Sequence, residues 1–392
     1  MSKGKFLKVQ KVSTGKKIGR VVLIILLVLV ILIGAVFGFI WSKLGMIDFD
    51  DGSQKETYAT VETIPEETEM PTEEFEQPDD ETTGVDATDP DSENEGSDVP
   101  DETQEAGGVS MEGLDMVTAP VYTSGELFSD KDVINILLVG TDEHTVGYLD
   151  SARGDVNILV SINKSEKTVK LVSFSRGIAL PMLDGPYKGK YEWLTNVHRW
   201  AGHEAVLQAF EECFKIDVDR YVRVNFSTVT KIVNAVGGID MELTAKEARF
   251  INNLNSKKTM KNLVEGMNHL DGATATYYAR LRGVDDDWYR MDRQKKCIVA
   301  VVDALKGSSF KTLNDLCDLV LPMIRTNMTK MEIAELILYS PNFLESEFDQ
   351  MTIPLKNTYK GMTVMSGEGG WALDYTKNNA ALHEFLYGAS AG

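Results

Sequence analysis

The chain has 392 residues, a net charge of −20 and three cysteines. So few cysteines exclude a disulfide-built scaffold, and the absence of any basic, aromatic-interleaved surface excludes a nucleic-acid reader. The length would hold two or three average domains, but composition changes so sharply along it that each part has to be taken separately.

Residues 1–20 carry seven Lys/Arg and no acid, and Val21 to Trp41 runs uncharged and rich in Val, Ile and Leu. At ~1.5 Å per residue that run spans ~30 Å, one bilayer core. No convincing small-residue cleavage site follows Ile40, so a retained single-pass membrane helix is expected over 21–41. The basic flank places a cytoplasmic tail at 1–20 and everything beyond Lys43 outside the cell membrane. From Asp48 to Glu105 twenty-three Asp/Glu accompany a single basic residue, Lys55. Taking this −22 and the +8 of residues 1–47 from the whole-chain −20 leaves −6 for residues 106–392, so the acidity belongs to the spacer and says little about the domain's ligand. Residues 42–129 are expected to form an acidic linker, disordered from Met46 to about Ser129, with an r.m.s. reach of ~50 Å. An extracytoplasmic domain is expected over 130–392.

Val133–Val139, Val156–Ile162 and Val169–Phe174 suit strands, the last two joined as a hairpin through Asn163–Lys167. His203–Phe214, Ser227–Val236, Gly272–Ala279 and Trp288–Leu305 suit helices. Asp271 is placed to cap the third, and Thr329 with Glu332 forms a capping-box pattern opening another near Met331. Strands interleaved with helices predict an α/β fold, an αβα sandwich around a mixed sheet. The helices are apolar over more than one stripe, so they are deeply buried or line an apolar cavity. No linker sets off the segment from Lys311 to Gly392, which is expected to join the same domain. Cys213, Cys297 and Cys317 sit in apolar helical surroundings, as buried free thiols do.

Two carboxylates fall where strands meet loops: Asp142, three residues beyond the first strand, and Asp155, just before the second. Acids brought together there suit a divalent cation with open positions, though turn-capping aspartates fit each alone. Arg153-Gly-Asp155 spells an adhesion tripeptide, which recurs by chance and here abuts a buried strand. Arg176 ends the third strand, Arg280 and Arg282 close a helix, and Arg290, Arg293 and Gln294 share one face of the next. Arg280 and Arg282 serve one site only if their helix ends near Ala279, as Gly283 allows. Such guanidinium forks suit a phosphate group of high charge, while on spacing alone salt bridges to Asp285, Asp286, Asp287 and Asp292 are the stronger account. The five histidines show no zinc-ligand spacing, and no nucleophile elbow, Walker loop or dinucleotide fingerprint is present.

Taken in order, Asn135-Ile-Leu-Leu-Val-Gly-Thr-Asp142, Arg153-Gly-Asp155, Leu171-Val-Ser-Phe-Ser-Arg176, Val236-Gly-Gly-Ile-Asp240, Leu270-Asp-Gly272, Tyr278-Ala-Arg-Leu-Arg282 and Arg290-Met-Asp-Arg-Gln294 resemble the LytR-CpsA-Psr family. The resemblance covers about 133–306. It implies a Gram-positive cell-wall transferase that moves a glycopolymer, teichoic acid or capsule, from a polyprenyl-pyrophosphate carrier to peptidoglycan, and an apolar tunnel for the carrier's tail. It implies Mg²⁺ (or Mn²⁺) at Asp142 and Asp155, pyrophosphate on Arg176, Arg280, Arg282, Arg290 and Gln294, and Arg153 and Asp155 as catalytic residues. Val206, Leu207, Phe210 and Phe214, with Val229, Ile232 and Val233, are candidate tunnel walls, and ordinary core fits them as well. Family members usually carry Asp where Gly177 stands and Lys where Leu194 stands, which implies a looser Arg176 and either weakened activity or a different acceptor and carrier. A membrane-anchored module that only holds the lipid, or a scaffold, would share much of this pattern.

Overall fold

Short β-branched runs build a mixed central sheet, with the helices between them packed on it and three two-stranded ribbons beside it. The computed structural model describes residues 38–50 and 127–388, apart from 143–151, 184–185, 219, 255–258, 283, 286, 307, 345 and 347. The basic tail, all but the last four residues of the predicted membrane helix, and most of the acidic spacer lie outside the described residues. Among the described residues no helix is long and apolar enough to cross a membrane.

The first half runs β1 (Asp48–Phe49), β2 (Val133–Thr141), β3 (Gly154–Asn163), β4 (Thr168–Phe174), β5 (Ala179–Pro181), β6 (Tyr191–Trp193), α1 (Leu194–Phe214), β7 (Arg220–Asn225) and α2 (Phe226–Ala235). It continues with β8 (Ile239–Leu243), α3 (Ala245–Asn253), β9 (Gly266–Leu270), α4 (Gly272–Tyr278), α5 (Asp287–Lys306) and α6 (Phe310–Val320). The rest is β10 (Arg325–Thr326), α7 (Lys330–Leu344), β11 (Phe348–Ile353), β12 (Tyr359–Thr363), β13 (Gly369–Leu373) and α8 (Tyr375–Tyr387).

Seven strands form the central sheet in the order β1-β10-β7-β2-β3-β4-β11. β2 is antiparallel to β3 and parallel to β7, and β4 is antiparallel to β3 and parallel to β11. Because strand side chains alternate faces, Leu137, Val139, Leu159, Val172 and Phe174 pack on one side against Phe210 and Phe214 of α1 and Leu382 and Leu386 of α8. Ile158, Ile162, Val169 and Leu171 face the other side, against Ile298 and Val299 of α5 and Leu336 of α7. Helices thus cover both faces of the sheet. A second core gathers the β8–β9 hairpin with α3, α4 and parts of α2 and α5.

The predicted hairpin turn is present, with Asn163 Oδ1 accepting from the backbone N–H groups of Ser165 and Glu166 at 3.0 Å. Asp271 caps α4 through Thr274 N at 2.8 Å, and Thr329 and Glu332 form their capping box. The segment beyond Lys311 completes the sheet through β11 and the main core through α8. Three expectations are corrected. The predicted helix His203–Phe214 forms, but as the second half of a longer α1, because non-helical Gly202 (φ 80°, ψ 178°) separates it from an unexpected preceding half that begins at Leu194. Cys213 and Cys297 are buried, their thiols pushed up to about 12 by burial, but Cys317 is half-buried.

The third correction concerns the two ends of the spacer. Leu44 and Ile47 are buried against Ile324, Ile333 and Ala334, and β1 adds an edge strand parallel to β10. Tyr221 Oη donates to Asp50 Oδ2 at 2.6 Å, and Arg325 pairs with Asp50 at 3.5 Å. At the other end Phe128 bridges to Ile216 and its ring lies 3.8 Å from that of His383. Averaging composition over a long acidic run hides a few apolar residues at its ends, where strand pairing satisfies the backbone. The spacer's reach therefore does not set the distance between Lys43 and the sheet.

Candidate functional site

β2 carries the chain to Asp142 directly, without the three-residue gap expected, and β3 begins at Gly154, so Asp155 lies on the strand rather than before it. An irregularity in register between Gly140 and Thr141 re-aims the end of β2. Gly154 is needed there, since a Cβ would come within 2.2 Å of the His198 ring. Asp142 Oδ1 accepts from Arg153 N at 3.1 Å.

Asp155 Oδ1 accepts from Arg176 Nη1 at 3.0 Å and from Thr195 Oγ1 at 3.3 Å. The Arg176 guanidinium lies 5.8 Å over the Trp193 ring. α4 stops at Tyr278, and buried Leu281 roots the following turn in the second core, leaving Arg280 and Arg282 on its outer side. The expected stop residue, Gly283, lies outside the described residues. Arg280 stacks on Phe226 at 4.0 Å from the ring centroid. On α5, Arg290 pairs with Asp287, and Gln294 Nε2 donates to Ala279 O at 3.4 Å.

The electrostatics show convergence. Burial opposes the charge of Asp155, but Arg176, Arg290 and Arg282 outweigh it and hold the carboxyl below the usual range. Burial raises Asp142, and the charge of Asp155 raises it further. Burial lowers Arg282, aided by Arg176 and Arg153, and lowers Arg280, which also senses Asp155 and Asp142. Arg290 is pushed down to about 10 by burial and by Arg176 and Arg282, with Asp287 opposing. Asp142, Arg153, Asp155, Arg176, Arg280, Arg282 and Arg290 therefore meet at one place, with Gln294 beside it at the end of α4.

Arg293 does not join them. It turns to Asp285 with two bonds of 2.7 Å and to Glu247 at 3.3 Å. The salt-bridge account from spacing holds for Arg293 and in part for Arg290; Asp286 lies outside the described residues. The proposed tunnel residues also separate. Val206, Leu207, Phe210 and Phe214 belong to the main core, Val233 to the second, and Val229 and Ile232 are half-buried. The seven do not form a single wall.

Although Gly177 supplies no carboxylate, Arg176 keeps one partner in Asp155. Trp371 N donates to Gly177 O at 2.8 Å, and a Cβ at 177 would lie 3.0 Å from the Trp371 indole nitrogen, so a side chain there would press on the indole. Leu194 is wholly buried in the main core. Thr195, Trp193, Phe226 and Trp371 carry no local signal of the site, since each reaches it from a distant element.

The two acids have the donor chemistry that a divalent cation takes. They are close enough for one to raise the other, and their described hydrogen bonds engage only the Oδ1 atom of each. A pair of carboxylates that leaves positions for water and phosphate oxygens is the usual setting for Mg²⁺.

The family model described as the LytR_cpsA_psr family matches residues 88–381. The chain belongs to the LytR-CpsA-Psr family. Among relatives, the polyisoprenyl-teichoic acid–peptidoglycan teichoic acid transferase TagT of Bacillus subtilis is 31% identical over 228 residues, 57% of this chain and 68% of that one. The enzyme of the same description, TagU, from Enterococcus faecalis is 27% identical over 227 residues, 57% of this chain and 71% of that one. TagT solved bound to LIIa-WTA superposes with a TM-score of 0.52 at 25% identity, covering 65% of this chain and 91% of that one. YwtF (TagT) with bound octaprenyl pyrophosphate lipid gives a TM-score of 0.50 at 22% identity over 71% of this chain and 99% of that one, a likeness of fold. This LytR-CpsA-Psr chain thus shares the family's fold, and the two relatives named above are described as teichoic acid transferases.

Proposed function

We propose that this protein transfers a phosphate-linked cell-wall glycopolymer, of teichoic acid or capsule type, from a polyprenyl-pyrophosphate carrier to peptidoglycan. The observation that carries the reading is the gathering of Arg153, Arg176, Arg280, Arg282 and Arg290 around Asp155, five guanidinium groups against the four carboxylates of Asp142, Asp155, Asp287 and Glu368. A pyrophosphate supplies the missing negative charge, and guanidinium forks match its oxygens.

A peptidoglycan hydroxyl attacks the phosphorus that bears the sugar. The new P–O bond forms as the bond to the carrier's other phosphate breaks, polyprenyl phosphate leaves, and the hydroxyl proton passes to solvent. Arg153, beside the entry to β3, and the arginines across the site stabilise charge on the equatorial oxygens, the main help such a transition state can receive. Asp142 and Asp155 would hold Mg²⁺ or Mn²⁺, which when bound supplies further charge neutralisation at the phosphates. Lifting the carrier's tail into water costs ~0.8 kcal/mol per CH₂, so it needs an apolar enclosure. The layer between α1 and the sheet, at Val206, Leu207, Phe210 and Phe214, is the place proposed for it. Residues 21–41 would anchor the chain in the cell membrane with residues 1–20 cytoplasmic and the folded domain outside.

The test uses the full chain in lipid nanodiscs with Mg²⁺, a polyprenyl-pyrophosphate-linked polymer and peptidoglycan. Polymer covalently joined to peptidoglycan, and its loss in Asp155→Ala, is the expected result. Lipid binding with no product would leave a holding module instead.

A further inference from the structure

Three aromatic rings from two distant stretches of chain meet beside the arginines. Trp288 stacks on Tyr359 with centroids 5.3 Å apart at 25°, Tyr359 meets Trp371 at 5.1 Å and 70°, and Trp288 meets Trp371 at 6.3 Å and 65°. All three are half-buried. Trp371 sits on the backbone of Gly177, the residue after Arg176, and Trp288 lies in the first turn of α5 between Asp287 and Arg290. The β12–β13 hairpin holds Tyr359 opposite Leu373 and Gly361 opposite Trp371, which brings Tyr359 and Trp371 together.

Aromatic rings clustered at a surface and rimmed by charge leave apolar area in water that a ligand can cover. The rim here is Arg176, Arg290, Asp287 and the exposed Glu368, whose charge Arg176 senses. A lipid tail needs enclosure on all sides, which a half-open cluster does not give. A pyranose suits it: one face presents C–H groups to the electron-rich faces of the rings, while its hydroxyls reach the charged rim. We propose that Trp288, Tyr359 and Trp371 form a shelf on which a pyranose ring of a glycan stacks beside the phosphate-binding arginines. The shelf rests on the transferase reading for its place in a reaction, and the sugar comes either from the polymer next to the pyrophosphate or from the peptidoglycan acceptor. Gly177 belongs to this device, because a side chain there would press on the indole.

Calorimetric titration of the full chain in nanodiscs tests it, with three probes: a soluble peptidoglycan saccharide fragment, polyprenyl pyrophosphate carrying a disaccharide, and bare polyprenyl pyrophosphate. Trp288→Ala and Trp371→Ala are expected to weaken one of the two sugar-bearing probes by about tenfold or more, a loss of about 1.4 kcal/mol, with the bare lipid unchanged. Loss confined to the fragment assigns the shelf to the acceptor, and loss confined to the lipid-linked disaccharide assigns it to the donor. Trp371→Tyr, which keeps a ring, should restore binding if stacking is the cause. Unchanged binding of both sugars, or an equal loss for the bare lipid, would overturn the proposal. These titrations need no turnover, so absence of a transfer product would count against the transferase reading alone.

Discussion

Arg290 and Arg293 lie one turn apart on α5 and are both buried, in opposite electrostatic settings. Arg293, 2% exposed, is enclosed by Asp285, Glu247 and the carbonyl of Leu281, and these partners raise its pKa in spite of burial. Arg290 pairs with Asp287, but burial, and after it the like charges of Arg176 and Arg282, outweigh that partner, and its pKa falls. A buried charge whose partners balance it maintains the fold. One packed against like charges is available to an added anion.

The largest effect should follow from breaking the balanced set. Arg293→Ala leaves Asp285 and Glu247 without their cation and is expected to cost about 3–5 kcal/mol of stability. Thermal unfolding followed by circular dichroism measures it, and an unshifted midpoint would make Arg293 dispensable. On the other side, Arg280→Ala or Arg282→Ala should weaken polyprenyl pyrophosphate by about 1.5–3 kcal/mol, with stability unchanged or improved because like charges are relieved. A stability loss matching that of Arg293→Ala would erase the distinction between the two groups.

Much of the fold and of the site's placement was legible in the sequence, and the contrast on α5 was not. The strands around Leu137, Leu159 and Val172 were visible because β-branched runs are local signals, and so were the caps at Asp271 and Thr329. The site's acids and arginines could be placed at strand and helix ends, which are also local. Spacing alone put Arg290, Arg293 and Gln294 on one face, but the side chains of Glu247 and Asp285, brought in by α3 and the turn before α5, decided that Arg293 turns away. The same limit hid Trp371 behind Gly177 and β1 within the spacer, since both depend on partners far off in sequence. The tunnel set divided because apolar residues on two helices look alike before their packing is known.

A third buried polar group sharpens the comparison through pH. Burial and Arg223 push His198 down to about 3, and burial with His198, Arg223 and Arg325 pushes His203 well below its ordinary value. The unfolded chain takes up these protons near pH 6.5 while the folded one does not, so stability should hold above that pH. It should fall as pH drops from 6.5 toward 3, by up to about 1.4 kcal/mol per pH unit at its steepest for His198, with His203 acting in the same direction. Unfolding midpoints across that range in the parent and in His198→Gln measure the slope, which the variant should flatten. The smallest effect is expected from Thr195→Val, which removes one hydrogen bond to Asp155. A loss of about 1 kcal/mol corresponds to a fall of about fivefold in transfer rate, with little change in folding.

The most direct test compares affinity for polyprenyl pyrophosphate with that for polyprenyl monophosphate, in the parent full chain and in Arg282→Ala. The pyrophosphate should bind at least about tenfold more tightly to the parent, and Arg282→Ala should remove most of that difference. Equal affinity for the two lipids, unaltered by the substitution, would contradict the account.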